Sequence, residues 1–131
     1  MIQAYFDQVK ALINKYAGTR FVLDAKVSFE MRPGEQGYLT GSLTFTDGST
    51  LQFSEFLDSA AGGVAKLMYT YHYQDARKQL IFRYDNAYHR PPLRSLEHKH
   101  IPGQVTGSPA PTIEDVLAEI VMVKGWVKDS L

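Results

Sequence analysis

All four histidines of the chain, His72, His89, His98 and His100, fall within residues 69–100, together with Arg83, Asp85, Arg90 and Arg94. A histidine titrates near neutrality, so a pair can accept a proton at one atom and donate one at another. Attack of a ribose 2′-hydroxyl on its own phosphate needs those two roles plus a cation for the phosphorane. His98, His100 and His89 are therefore the expected acid–base groups, with Asp85 orienting Arg83 or a histidine. Arg83, Arg90, Arg94 and His72 are the expected contacts to substrate phosphate. From Arg77 to His100, six cations (Arg77, Lys78, Arg83, Arg90, Arg94, Lys99) face two anions (Asp85, Glu97), a local charge of +4 in a chain of zero net charge. Such a segment suits a polyanion.

The same residues have other readings. His98-Lys99-His100 on an extended segment points both rings one way, as a metal pair does, and Asp85 or His72 could add a third ligand. Two histidines alone do not assign a metal, so neither metal nor cofactor is expected. Arg83 and Asp85 two apart on a strand also fit a plain surface ion pair. Tyr69, Tyr71, Tyr73 and Tyr84 read first as aromatic packing under a helix. On an open sheet they would stack bases instead, which makes Tyr84 a further substrate contact.

These side chains must be positioned by the elements around them. Ile2, Phe6, Val9, Leu12, Ile13 and Tyr16 repeat at three- and four-residue spacing, which predicts a helix over 2–17, ended by a left-handed Gly18. From Phe21 to Met31 apolar and polar residues alternate, the period of a half-buried strand that Pro33-Gly34 ends. Leu39, Leu43 and Phe45 mark a second strand, and Asp47-Gly48 supplies a tight turn into a third around Leu51, Phe53 and Leu57. Strands over 64–74 and 79–86 follow, joined by a turn at 75–78. With Gln74 opposite Gln79, His72 would oppose Ile81, Thr70 would oppose Arg83, and Met68 would oppose Asp85. Tyr69, Tyr71, Tyr73, Leu80, Phe82 and Tyr84 then share one face, and Thr70, His72, Arg83 and Asp85 the other. Residues 87–111 hold five of the six prolines and read as a long irregular loop. Thr112 caps a final helix that runs to Lys128. The expected fold is α+β: one domain with a five-stranded antiparallel meander and an N-terminal and a C-terminal helix, in the order α-β-β-β-β-β-α.

Composition removes several classes of function. The chain of 131 residues has no cysteine, which excludes disulfides, thiolate metal sites and a cysteine nucleophile. MIQAYFDQVK lacks the basic and apolar blocks of a signal peptide, and no apolar run is long enough to span a membrane, so a cytoplasmic location is expected. GQVTGSPAP at 103–111 lacks the ending of a phosphate loop, and no nucleophile elbow is present. Glu55 and Asp58 read as a surface pair at a strand end.

LIFRYDNA at 80–87, followed by His89 and by His98-Lys99-His100, resembles the TumE family of toxins from bacterial toxin–antitoxin operons. Tyr69-x-Tyr71-x-Tyr73 and Leu43-x-Phe45-x-Asp47-Gly48-Ser49 are also similar to that family, and the resemblance spans about residues 20–125. It implies a small cytoplasmic toxin paired with a helix-turn-helix antitoxin encoded beside it. Residues and resemblance together predict a toxin that binds and cleaves RNA without a metal. The competing expectations are a non-enzymatic protein-interaction module, whose aromatic and arginine side chains anchor a partner, and a metal-dependent phosphodiesterase. An uncovered sheet face or edge would favour a homodimer.

Overall fold

The apolar stripe of the N-terminal segment makes helix α1, Ile2–Ala17, whose Ile2, Phe6, Val9, Ile13 and Tyr16 are all buried. Gly18 does not end it in the left-handed conformation expected: its φ is −81°. Thr19 closes the helix instead, giving both its amide and its hydroxyl to the Tyr16 carbonyl, so no left-handed residue is required there. The computed structural model describes residues 1–60, 62–87 and 97–126.

The strands are β1 (Val22–Arg32), β2 (Gln36–Phe45), β3 (Thr50–Ala60), β4 (Gly63–Gln74), β5 (Leu80–Asp85), β6 (His98–Ile101) and β7 (Gln104–Gly107). All seven lie in one antiparallel sheet in chain order. The meander is as expected, but two strands occupy part of what read as irregular loop. Pro102 and Gly103 sit in the turn between β6 and β7, where Gly103 takes a positive φ of 77° and a missing donor costs nothing. Pro102 therefore serves the turn of this hairpin rather than breaking a strand.

Both helices cover the same face of the sheet. Gly37 of β2 lets α1 approach so closely that an added Cβ would lie 2.8 Å from Ile2 and Phe6 side-chain atoms. Phe6 packs on Phe29 of β1 at 4.8 Å between ring centroids. The second helix, α2 (Ile113–Lys124), begins with a capping box between Thr112 and Asp115. Its Glu119 accepts from Tyr84 of β5 and pairs with Lys99 of β6, which places it over the same face. The helix stops at Lys124, short of the expected Lys128, because Gly125 turns left-handed at φ 66°. Trp126 then lies flat on Phe21, with ring centroids 5.0 Å apart. Positions 127–131 lie outside the described residues.

Inside the covered face, Tyr5 and Tyr71 both donate to the Glu55 carboxyl, and Lys66 donates to Tyr71 and to the Pro111 carbonyl. Glu55 is 1 % exposed, which corrects its reading as a surface residue. It lies opposite Leu39 and Tyr69 in the register, so strand parity sends it inward. Burial first, and then the charge of Glu55 and its hydrogen bonds, push the Tyr5 and Tyr71 hydroxyls far above their usual range. Burial also pushes Tyr69 and Tyr73 up to about 12. Unfolded tyrosine titrates near 10, so these groups hold their protons more tightly in the folded chain. Their contribution is complete below about pH 10 and is lost as the pH rises through about 12. In an alkaline titration, tyrosinate absorbance and loss of the helical circular dichroism signal should therefore appear together. Full tyrosine ionisation with the circular dichroism unchanged would refute this.

Candidate functional site

The opposite face carries no helix among the described residues, and register determines what meets there. One rung of paired residues runs Thr40, Ser54, Thr70, Asp85 and His98; the next runs Ser42, Gln52, His72, Arg83 and His100. The β4–β5 pairing differs from the expected one by two residues: His72 opposes Arg83, and Thr70 opposes Asp85. The cause is a longer turn with an irregularity beside it. Asp75 caps the turn by accepting from the Arg77 and Gln79 amides, Lys78 takes a φ of 64°, and the register shifts between Tyr73 and Gln74. A slide of two leaves every residue on its expected face but replaces its partner.

Asp85 is the centre of the arrangement. Its Oδ2 accepts from Arg83 Nε at 2.9 Å, and the Ala87 amide approaches Oδ1 at 3.4 Å. His98 Nδ1 lies 3.4 Å from Oδ1, and His100 Nε2 lies 3.3 Å from Oδ2. Burial alone would raise the Asp85 carboxyl. The bond to His98, the nearby His100 charge, the Arg83 guanidinium and the Ala87 amide outweigh it and hold the group below the usual carboxylate range. Asp85 and His98 are sealed, 3 % and 2 % exposed, whereas the Arg83 side chain is 40 % exposed and His100 18 %. Arg83 and His100 are therefore the members of the cluster that reach solvent.

Beside them lies a hollow of about 330 Å³ lined by Gln52, Phe53, Ser54, Thr70, His72 and Arg83. His72 Nε2 pairs with Gln74 Oε1 at 3.1 Å, and Nδ1 has no hydrogen-bond partner among the described residues. Gln52 and Ser54 did not stand out in the sequence. The signal available was their alternation with Leu51, Phe53 and Leu57, which marks them as the outer positions of β3.

The remaining expected site residues fall elsewhere. Tyr84 is on the helix-covered face with its hydroxyl on Glu119, so it does not reach this cluster. His89, Arg90 and Arg94 lie outside the described residues. A larger hollow of about 510 Å³ opens between the helices on the covered face, lined by Tyr5, Val9, Leu12, Val64, Lys66 and Ile113 among others. No histidine lines it among the described residues; His72, Arg83, Asp85, His98 and His100 meet on the face opposite the helices.

Comparison with protein families matches residues 9–131 to the family described as Toxin TumE. The chain belongs to the TumE toxin family. The matched span includes β5, β6 and every residue of the Asp85 cluster. No curated protein and no solved structure matches the chain. Membership makes the protein a toxin component and implies an antitoxin partner. No described helix is long and apolar enough to cross a membrane.

Proposed function

We propose that this TumE-family toxin acts on RNA, holding the phosphate backbone along the sheet face opposite its helices and cleaving it at the Asp85 cluster. The observation that carries the reading is the convergence of His72, Arg83 and His100 on one rung beside the Asp85 and His98 pair. Six inter-strand steps of about 4.8 Å make the seven-stranded face roughly 29 Å wide, enough for several nucleotides. In the step proposed, the 2′-oxygen bonds to the adjacent phosphorus while the P–O5′ bond breaks. The 2′ proton leaves to an acceptor at the cluster and the 5′-oxygen gains a proton, giving a 2′,3′-cyclic phosphate and a 5′-hydroxyl. Arg83 offers its guanidinium to the phosphate oxygens, and Asp85 holds it by Nε.

The reading extends to a cytoplasmic site of action and to a helix-turn-helix antitoxin, encoded alongside, that restrains the toxin. It also includes a homodimer formed through β7, an edge strand whose four residues are all exposed. Expression in a bacterium tests the central claim. Wild type should arrest growth and fragment RNA, and Arg83→Ala and His98→Ala/His100→Ala should each lower both effects by at least about 100-fold. Purified toxin should lose RNA affinity steeply with added salt. Equal growth arrest and equal RNA fragmentation by wild type and the double variant would overturn the assignment.

A further inference from the structure

We propose that Asp85, His98 and His100 form a binding site for one divalent transition-metal ion of the zinc class. The proposal deepens the RNA-cleavage reading, on which it rests for the ion's role but not for its binding. The candidate ligand atoms, one from each side chain, all lie within 4.8 Å of one another. Two imidazoles and a carboxylate suit zinc and its neighbours, whereas magnesium and calcium prefer all-oxygen sites.

The two nitrogen-to-carboxylate separations are those of ligands around an ion. His98 Nδ1 and His100 Nε2 each lie 3.4 Å from the same Asp85 oxygen, Oδ1, at the long end for a hydrogen bond between nitrogen and oxygen. Four bonds of about 2.1 Å at tetrahedral angles place ligand atoms about 3.4 Å apart. Backbone pairing holds this spacing. His98 and His100, two apart on β6, share a face, and Asp85 stands directly opposite His98. Lys99 between them points the other way, to Glu119, so its ammonium does not compete for the site.

The surroundings fit a held ion as well. Arg83 Nε fixes the Asp85 carboxylate by a 2.9 Å bond, as outer groups orient metal-binding carboxylates. Among the described residues three side chains supply ligands, a fourth position would take a water or a phosphate oxygen, and Arg83 and His100 are the cluster members that reach solvent. On RNA, an ion there would draw charge from a phosphate oxygen, and hydroxide bound to it would take the 2′ proton and become water.

The test uses the full chain, stripped with chelator and then titrated with ZnCl2 by calorimetry and with CoCl2 by visible absorption. One ion per chain with micromolar or tighter affinity is expected, together with the intense visible bands of tetrahedral cobalt. Asp85→Asn and His100→Ala should each weaken zinc binding by at least about 100-fold, and His72→Ala should retain it. Wild type that takes up neither ion, or zinc uptake unchanged in both ligand variants, would overturn the site. Because the cobalt spectrum is read on wild type, a variant that fails to fold does not decide the matter. Zinc bound one to one by a chain that leaves RNA intact would overturn the RNA reading and leave the site standing. RNA cleavage undiminished by stripping, from a chain that binds no ion, would do the reverse.

Discussion

A chain carrying Asp85→Asn is expected to fold and yet to lose growth arrest and RNA cleavage by at least about 100-fold, a barrier increase of about 2.7 kcal/mol. Asparagine has nearly the shape of aspartate, so the rungs of the face opposite the helices remain. What disappears is the charge that Arg83, His98 and His100 surround. One of the two oxygens becomes an NH2 group, which cannot accept from Arg83 or from a histidine nitrogen that carries a proton. Arg83 then loses the anchor that aims its guanidinium, and the cluster loses its anionic ligand. Far-UV circular dichroism and thermal melting establish the fold, and growth and RNA integrity establish the activity. Asp85→Asn retaining wild-type toxicity would mean that the cluster is architectural.

Glu55→Ala should cost about 3–5 kcal/mol of stability, a drop in Tm of roughly 10 °C or more, because it breaks a buried polar network and leaves a cavity. The Glu55 carboxyl is 1 % exposed and accepts from the hydroxyls of Tyr5 and Tyr71, one from α1 and one from β4. Alanine removes the acceptor of both hydroxyls, of which that of Tyr71 is buried, and takes a compensating negative charge from the part-buried Lys66. Glu55→Gln keeps an acceptor oxygen and should lose clearly less. Chemical denaturation of the three proteins measures the difference. An alanine variant as stable as the glutamine variant would show that the hydroxyls find other partners. Toxicity per folded molecule should be unchanged in both, since Glu55 lies on the face away from Arg83.

Period alone located most of the elements. The spacing of Ile2, Phe6, Val9 and Ile13 marks α1, and the alternation from Phe21 onward marks β1. Asp47-Gly48 marks its turn because Gly48 does take a positive φ, 87°. The same parity rule held the key to Glu55: it alternates in step with Leu51, Phe53 and Leu57, all buried, so its position marked it as inward even though its charge suggested a surface. The β6–β7 hairpin was not legible in this way. Strands of four residues, HKHI and QVTG, are too short to display a period, and the proline-rich composition around them points to a loop.

The candidate site divides along the same line. By itself the sequence determined which residues share a face, because alternation along a strand depends only on the local backbone period. Arg83 and Asp85 are on a common face whatever β5 pairs with, and His98 and His100 share one because β6 is extended. Only the tertiary structure decided that these two pairs stand side by side. That depends on a hydrogen-bonded register between β5 and β6, whose paired residues Asp85 and His98 are separated by 13 positions in the chain. The partner of His72 depends equally on the five-residue turn from Asp75 to Gln79 and the irregularity beside it, which together bring His72 opposite Arg83. Local propensity is indifferent to a slide of two residues, since both registers bury the same tyrosines. The turn and the cross-strand partners choose between them, and that choice sets His72 beside Arg83, while the β5–β6 register assembles the cluster around Asp85.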